Sequence, residues 1–457
     1  MNNNIEIDKV ANNILTKLSE WKENANANFV KYAHQIYASK IQNRYSSLLT
    51  PCPKGVFLKV TDIGYNNDSE YIDLYQELQI SRPNYQGSLF SMLDTSLMPF
   101  DVQRVRKLSD DTIKLTFCNN DKTFTLANQK LVFWIHSDTD NIKQSLQIFN
   151  NLKKKAKLTY YSSSVEGYLE VNLELGYQYK QKINLAIKNN IYDPRLQFTV
   201  SIDFSQIKEI SFEKIDLELK FNTLSAPEYE LTKCFHTNII PMINQAIVNI
   251  TPFKLDGNDD IYWLKTDTEL KYQACELRGL YSNNHLMDPS TYRVIYSGNQ
   301  IGIEFNQIEE YFNTNITGSM YIDYNLDDSL YATDTSLRWY GHNINKYKIN
   351  AISSIYNKST NVDEIKIRAL ISLLDISELT SWTIDMWKHL LAFFDKFAYI
   401  KISYLLNRVD VKERDIVLNF ITDDIVIQKW ITFYVYQLKL FISHNVPYLD
   451  VKLQASF

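Results

Sequence analysis

The sequence predicts an α+β, multidomain protein whose sheets are mostly antiparallel. Leu169, Val171, Leu173, Leu175, Tyr177 and Tyr179 alternate strictly with Glu170, Asn172, Glu174, Gly176, Gln178 and Lys180. Phe198, Val200, Ile202 and Phe204 repeat that pattern, as do Ile215, Leu217, Leu219 and Phe221. Strict period two puts one face in a core and one in water, which fits antiparallel sheet better than a doubly wound parallel one. Apolar stripes at spacings of three and four mark helices at both ends of the chain. With 457 residues, 45% hydrophobic and 22% charged, the chain has room for two or three folded domains.

In chain order, residues 5–50 read as helix. Ile7, Val10, Ile14, Leu18 and Trp21 form one stripe, Val30, Ala33, Tyr37, Ile41, Tyr45 and Leu48 a second, and an Asn-rich join at 23–28 breaks or kinks the run. Such stripes need a partner surface, either in this chain or in another. Pro51 to Gly55 ends the helix and Val56 to Val60 follows as a strand. Ile113, Leu115 and Phe117, a turn at Asn119-Asn120-Asp121, then Phe124 and Leu126 predict a hairpin. A helix is expected over 141–155, with stripe Ile142, Leu146, Phe149 and Leu152 and a basic end at Lys153-Lys154-Lys155.

A proline-marked junction divides the chain. Pro241 and Pro252 make 238–254 extended or looped and irregular, and Asp256-Gly257-Asn258 supplies a turn. The stretch is also apolar, with Ile239, Ile240, Met242, Ile243, Ile247, Val248 and Ile250, so it should be buried between domains, with Asn244 and Thr251 serving its backbone. Tyr292, Val294 and Tyr296, then Ser297-Gly298-Asn299, then Ile301, Ile303 and Phe305 read as a hairpin, and 321–324 as a further strand. Helices are expected over 365–374 and 382–394, the second capped by Thr380 or Ser381. A strand over 416–421, a helix over 425–442 and a strand over 448–453 finish the chain. The expected division is an arm over 1–50, a β-rich domain with one or more helices over 51–233, the junction and a second β domain over 234–345, and an α+β region over 346–457.

Chemistry is sparse. No P-loop, Gly-rich dinucleotide turn, HExxH or GxSxG is present. His136-Ser137-Asp138 has triad letters, but adjacent residues do not converge on one substrate. His236 and His389 read as buried, hydrogen-bonded rings. Glu309-Glu310 and Asp259-Asp260 read as solvated loop charge. Cys52, Cys118, Cys234 and Cys275 are too widely spaced for a metal knuckle and read as reduced, mostly buried thiols. Neither a catalytic residue, a cofactor nor a metal is expected. A net charge of −5 gives no electrostatic reason to expect nucleic acid. Residues 425–442 are interrupted by Gln428, Lys429, Gln437 and Lys439, which favours a core helix over a membrane span. The opening residues lack an apolar signal-peptide core, so a cytoplasmic protein is expected. The 31 Tyr, 23 Phe and 7 Trp suit interfaces, and a low-GC genome enriches Tyr as well.

The junction carries a resemblance. The order Phe235, Thr237, Ile239, Pro241, Ile243-Asn244, Pro252-Phe253, Tyr262, Thr266-Asp267, Tyr272, Glu276 and Leu277 resembles the TssF family, a baseplate wedge component of type VI secretion systems. The ending is similar too, at Val417 to Phe420, Trp430, Phe433-Tyr434, Leu438, Phe441 and Asn445. The chain resembles most a divergent, IglH-like branch, and is shorter and poorer in glycine than usual members. The resemblance implies a non-enzymatic scaffold. Two copies would pair with one TssG-like chain in a wedge, and six wedges would surround a VgrG spike hub and anchor the contractile sheath, with TssK-like and TssE-like subunits alongside. It also implies a partner helix bundle for the arm, through Ile7, Val10, Ile14, Leu18 and Trp21, at a membrane-docked apparatus. Other readings are a wedge protein of another contractile particle or phage tail, a ligand- or glycan-binding β protein, and an unrecognised hydrolase.

Overall fold

The computed structural model describes Lys17, Lys22 and residues 55–62, 70–74, 76–82, 85–118, 124–125, 130–137, 142–162, 165–176, 193–204, 211–243, 246–267, 272–297, 300–306, 311–324, 348–355, 378–394, 401–446 and 452–457. The helices expected over 5–50 and 365–374 lie outside these residues, apart from Lys17 and Lys22, which are helical and exposed.

Strand pairing is antiparallel almost throughout, as the alternation predicts. The period-two segments build the largest core. A five-stranded sheet runs in the order Val165–Asn172, Leu152–Ser162, Lys214–Phe221, Thr112–Cys118, Asp101–Ser109. Its register sets Leu217 between Leu158 and Leu115, all fully buried, while Lys114, Lys155 and Lys157 stay on the other face. An inner four-stranded sheet, ordered Glu174–Leu175, Thr199–Asp203, Lys130–Ile135, Phe235–His236, packs on the buried face, where the Phe117 and Phe133 rings lie 6.2 Å apart.

Helices complete this core, among them Ile384–Phe394 through Trp387, Leu390 and Leu391. Helix Ile142–Asn151 stacks Phe149 on Phe198 at 5.1 Å, and helix Ile425–Asn445 brings Phe433 to 6.3 Å from the same ring. Each buried ring contributes roughly 1.5–3 kcal/mol. Asp424 caps helix Ile425–Asn445, accepting from Val426 N at 2.8 Å and Ile427 N at 3.4 Å. That helix buries Trp430, Ile431, Phe433, Tyr434, Val435, Gln437, Leu438, Phe441 and Ile442. Among the described residues no helix is long and apolar enough to cross a membrane.

Two further cores flank the first. A proximal sheet, ordered Lys348–Ile355, Gly55–Asp62, Ile239–Ile243, Tyr85–Ser91, Glu77–Arg82, buries Val56, Leu58, Leu89, Ile240 and Met242. Distal sheets from Ala246–Lys254 to Asn315–Tyr324 bury Leu280, Ile301, Ile303, Met320 and Ile322. The predicted hairpin is there, with Ser297 opposite Gln300, and the strand expected at 321–324 begins earlier, at Asn315.

Several expectations need correction. Thr112–Cys118 does not form a hairpin with Phe124. It turns at Asp110-Asp111 onto Asp101–Ser109, where Asp111 Oδ1 accepts from both the Ser109 and Thr112 hydroxyls, and Phe124–Thr125 instead pairs with Ser211–Phe212. The helix expected to 155 stops at Asn151, where Asn222 N takes the Asn151 carbonyl at 2.8 Å. Leu152 then pairs with Phe221, so Lys153 to Lys155 are exposed strand residues and not a helix end. The next helix is Ile384–Phe394, with Thr383 and not Thr380 or Ser381 accepting from Met386 N, at 3.4 Å. Leu406–Lys412 is an unforeseen strand, turned onto Asp415–Phe420 through Glu413 at φ 55°. The final strand is Lys452–Ser456, parallel to Asp415–Phe420.

The junction is regular, not irregular. It forms strand Ile239–Ile243 in the proximal sheet and strand Ala246–Lys254 in the distal one. The Pro241 carbonyl accepts from Met92 N at 2.8 Å, so its donor-less nitrogen faces the same side, beyond the end of Tyr85–Ser91, where no ladder bond is lost. Pro252 sits where the register shifts between Ile250 and Phe253. Burial is uneven. Ile239 to Ile243 are enclosed, whereas Ile247 is 41% exposed.

Candidate functional site at the seam between two sheets

The stripe Ile7, Val10, Ile14, Leu18 and Trp21 lies outside the described residues. Within them the chemistry concentrates where the proximal sheet meets the inner sheet. Phe235–His236 pairs with Ile135 and Trp134 in the inner sheet, and three residues later Ile239–Ile243 runs beside Gly55–Asp62, with Pro241 opposite Phe57. Thr237 and Asn238 therefore carry the chain from one sheet to the other, both of them buried.

Asn238 makes that step in the left-handed region, at φ 58°, which asparagine tolerates better than most residues. Its side chain then satisfies backbone groups that the crossing would leave bare. Oδ1 accepts from Met98 N at 2.6 Å and Nδ2 donates to the Phe100 carbonyl at 3.0 Å. The Asn238 carbonyl accepts from Val60 N at 2.9 Å. The Thr237 hydroxyl is 2.7 Å from Asp101 Oδ1, and the other carboxylate oxygen pairs with Lys59 at 2.7 Å. Thr251, expected to serve this backbone, bonds Asp267 instead, and Asn244 is outside the described residues.

A second network lies deeper in the seam. Asp193 caps the turn Pro194–Gln197, which aims Arg195 inward, and both side chains are wholly buried. The pair is bidentate. Arg195 Nε donates to Asp193 Oδ1 at 2.9 Å and Nη2 to Oδ2 at 2.6 Å. Arg195 Nη1 donates to the Ser137 carbonyl at 3.0 Å and to Ser353 Oγ at 3.1 Å, reaching the proximal sheet. The guanidinium also lies 4.8 Å from the centre of the Phe57 ring. Phe57, Leu93, Trp134, Leu196 and Ile239 form the apolar lining.

His136 belongs to this network, not to a triad. Its Nε2 lies 2.8 Å from Ser353 Oγ and its ring 4.5 Å from Phe57. Burial, then the Arg195 charge and His236, hold its pKa well below the usual histidine range, so the ring is neutral. Ser137 contributes its carbonyl, and Asp138 lies outside the described residues. His136, Ser137, Asp193 and Arg195 are buried, so the arrangement suits holding two sheets in register more than receiving a substrate.

The remaining candidates are scattered. His236 is half-buried, with Nε2 2.8 Å from the Lys233 carbonyl, while His389, expected to be buried, is exposed on the solvent side of its helix. Asp259 and Asp260 are exposed, Cys118 is half-buried, and the buried Cys234 thiol donates to the Glu230 carbonyl at 3.2 Å. Sequence reasoning missed Asp193, Arg195 and Ser353. Asp193-Pro194 carried a legible cap signal, but nothing local to Ser353 marks it as the acceptor.

No protein-family model matches the chain, and no curated protein matches its sequence. Among solved structures, the N-terminal domain of the Streptococcus gordonii adhesin Sgo0707 aligns with 61% of this chain and 89% of its own at 10% identity, but its TM-score of 0.14 is no fold likeness. A chain of the type VI secretion system TssK-TssF-TssG baseplate subcomplex, solved by cryo-electron microscopy, matches over 98% of this chain and 95% of its own length at 8% identity, with a TM-score of 0.65. That match does not identify which of the subunits it is, but it gives this chain the fold of a component of that baseplate subcomplex.

Proposed function

We propose that the chain is a TssF-type structural subunit of a type VI secretion baseplate wedge. The observation that carries this reading is fold likeness along nearly the whole length of both chains, at a TM-score of 0.65. The junction and C-terminal residues that resemble the TssF family support that subunit among those of the subcomplex. The buried seam fits a scaffold, because it spends its charged groups on each other. In this reading a TssG-like chain, a second copy and TssK-like and TssE-like subunits are the partners, the VgrG hub lies at the centre, and the protein works from the cytoplasmic side of the apparatus without catalysing a reaction. The arm at 1–50 supplies the helical interface through Ile7, Val10, Ile14, Leu18 and Trp21.

The test is affinity purification of the tagged chain from its native cell, followed by mass spectrometry. TssG-like and TssK-like subunits should co-purify in fixed ratio. Recovery of phage-tail proteins in their place would support the other contractile-particle reading, and recovery of the chain alone would contradict both.

A further inference from the structure

We infer that His136 is an acid-release latch: a proton gained there parts the proximal sheet from the inner sheet. The argument rests on what the seam offers the ring. Neutral imidazole with its proton on Nε2 donates to Ser353 Oγ, 2.8 Å away, and leaves Nδ1 as a bare lone pair. Imidazolium must also present an N–H at Nδ1, which has no hydrogen-bond partner among the described residues.

The charge is opposed as well. Arg195, from the turn Pro194–Gln197, shares the Ser353 hydroxyl, and its carboxylate partner Asp193 already holds it in a bidentate pair. His236, from Phe235–His236, has its ring centre 6.1 Å away. From the proximal sheet the ring meets Phe57 and Ser353, neither of them a carboxylate. Among the described residues these contacts thus bring a second cation no counter-charge of its own, and Ser353 links the proximal sheet to both His136 and Arg195.

The sign follows from linkage. When the seam opens, His136 meets water and regains an ordinary pKa of about 6.5. Closure therefore keeps its full stability above that pH and loses it as pH falls, by about tenfold in the opening constant per pH unit, down to the depressed value of the closed state.

Hydrogen exchange of the full chain at pH 7.5 and 5.5, corrected for intrinsic rates, tests this. Opening at Lys130–Ile135 and Lys348–Ile355 should rise about tenfold, from one proton taken up below 6.5. The distal hairpin Tyr292–Ser297 with Gln300–Phe305 should not change. His236→Gln should keep the response and His136→Gln should lose it. A response that survives His136→Gln, or disappears with His236→Gln, overturns the proposal. If His136→Gln does not fold, the His136 ring carbon resonance in the unsubstituted protein decides: no titration down to pH 5.5 while the seam is closed supports the latch, and titration near 6.5 in a closed seam overturns it.

Discussion

Asn238 Oδ1 accepts a hydrogen bond from Met98 N at 2.6 Å, closing a contact across 140 positions of the chain. That bond fixes where the chain leaves the inner sheet for the proximal one. Two costs meet at Asn238, a left-handed backbone and a buried amide and carbonyl that need partners, and they can be separated by substitution. Asn238→Ala should lower stability by roughly 2–4 kcal/mol, because it adds to the backbone strain and strands the Met98 amide. Asn238→Gly strands the same amide but removes the strain, so it should be milder by about 1 kcal/mol. Denaturant midpoints of the two variants check the order.

The Asp193 and Arg195 pair should behave as a buried ion pair. Arg195→Met leaves a buried carboxylate without its partner and should cost about 3–5 kcal/mol. Removing both charges, with Asp193→Leu in addition, should recover part of that loss. A double-mutant cycle in urea measures the coupling, and a double variant less stable than Arg195→Met would show that the charges are not compensating each other.

Asp216 sits on the polar face of the five-stranded sheet, yet its side chain is only 3% exposed. Burial alone would raise its pKa. Hydrogen bonds from Thr116 at 2.7 Å and Lys114 at 3.2 Å, with the charges of Lys114 and Lys214, bring it below the usual carboxylate range. A depressed folded value means its contribution is complete above the unfolded pKa of about 3.9 and is lost as pH falls below it. Asp216→Asn should flatten the stability profile between pH 4 and the folded value, leaving neutral pH less stable through the two unpaired lysines. Urea titrations across that window read the difference.

The arm is expected to assemble and not to fold the body of the protein. Ile14→Asp with Leu18→Asp should abolish capture of a TssG-like partner while leaving the thermal transition of the remaining domains within a few degrees. Analytical ultracentrifugation and circular dichroism separate the two effects. Normal assembly by the substituted chain would remove the arm from the interface.

Where the signal was local, the sequence was readable. Leu217 and its neighbours alternate because one face of their sheet is buried, and Ser297 to Gln300 closes a hairpin with its own turn residues. Non-local choices left no such mark. Thr112–Cys118 found its partner upstream through Asp110-Asp111, although Asn119-Asn120-Asp121 downstream offered an equally good turn. At Leu152 helix changes to strand without Gly or Pro, because pairing with Phe221 outweighs continuing the turn. Pro241 looked like a breaker, and is tolerated only because the neighbouring strand ends beside it. The seam was the least legible part. Arg195 and Ser353 are 158 positions apart, and only the packed sheets bring them within 3.1 Å.

Native mass spectrometry of the full chain co-expressed with the TssG-like protein of the same genome tests the central claim most directly. The account predicts a stable complex holding two copies of this chain for each TssG-like partner. A chain that stays monomeric beside a folded partner, at concentrations where other baseplate subunits assemble, would contradict it.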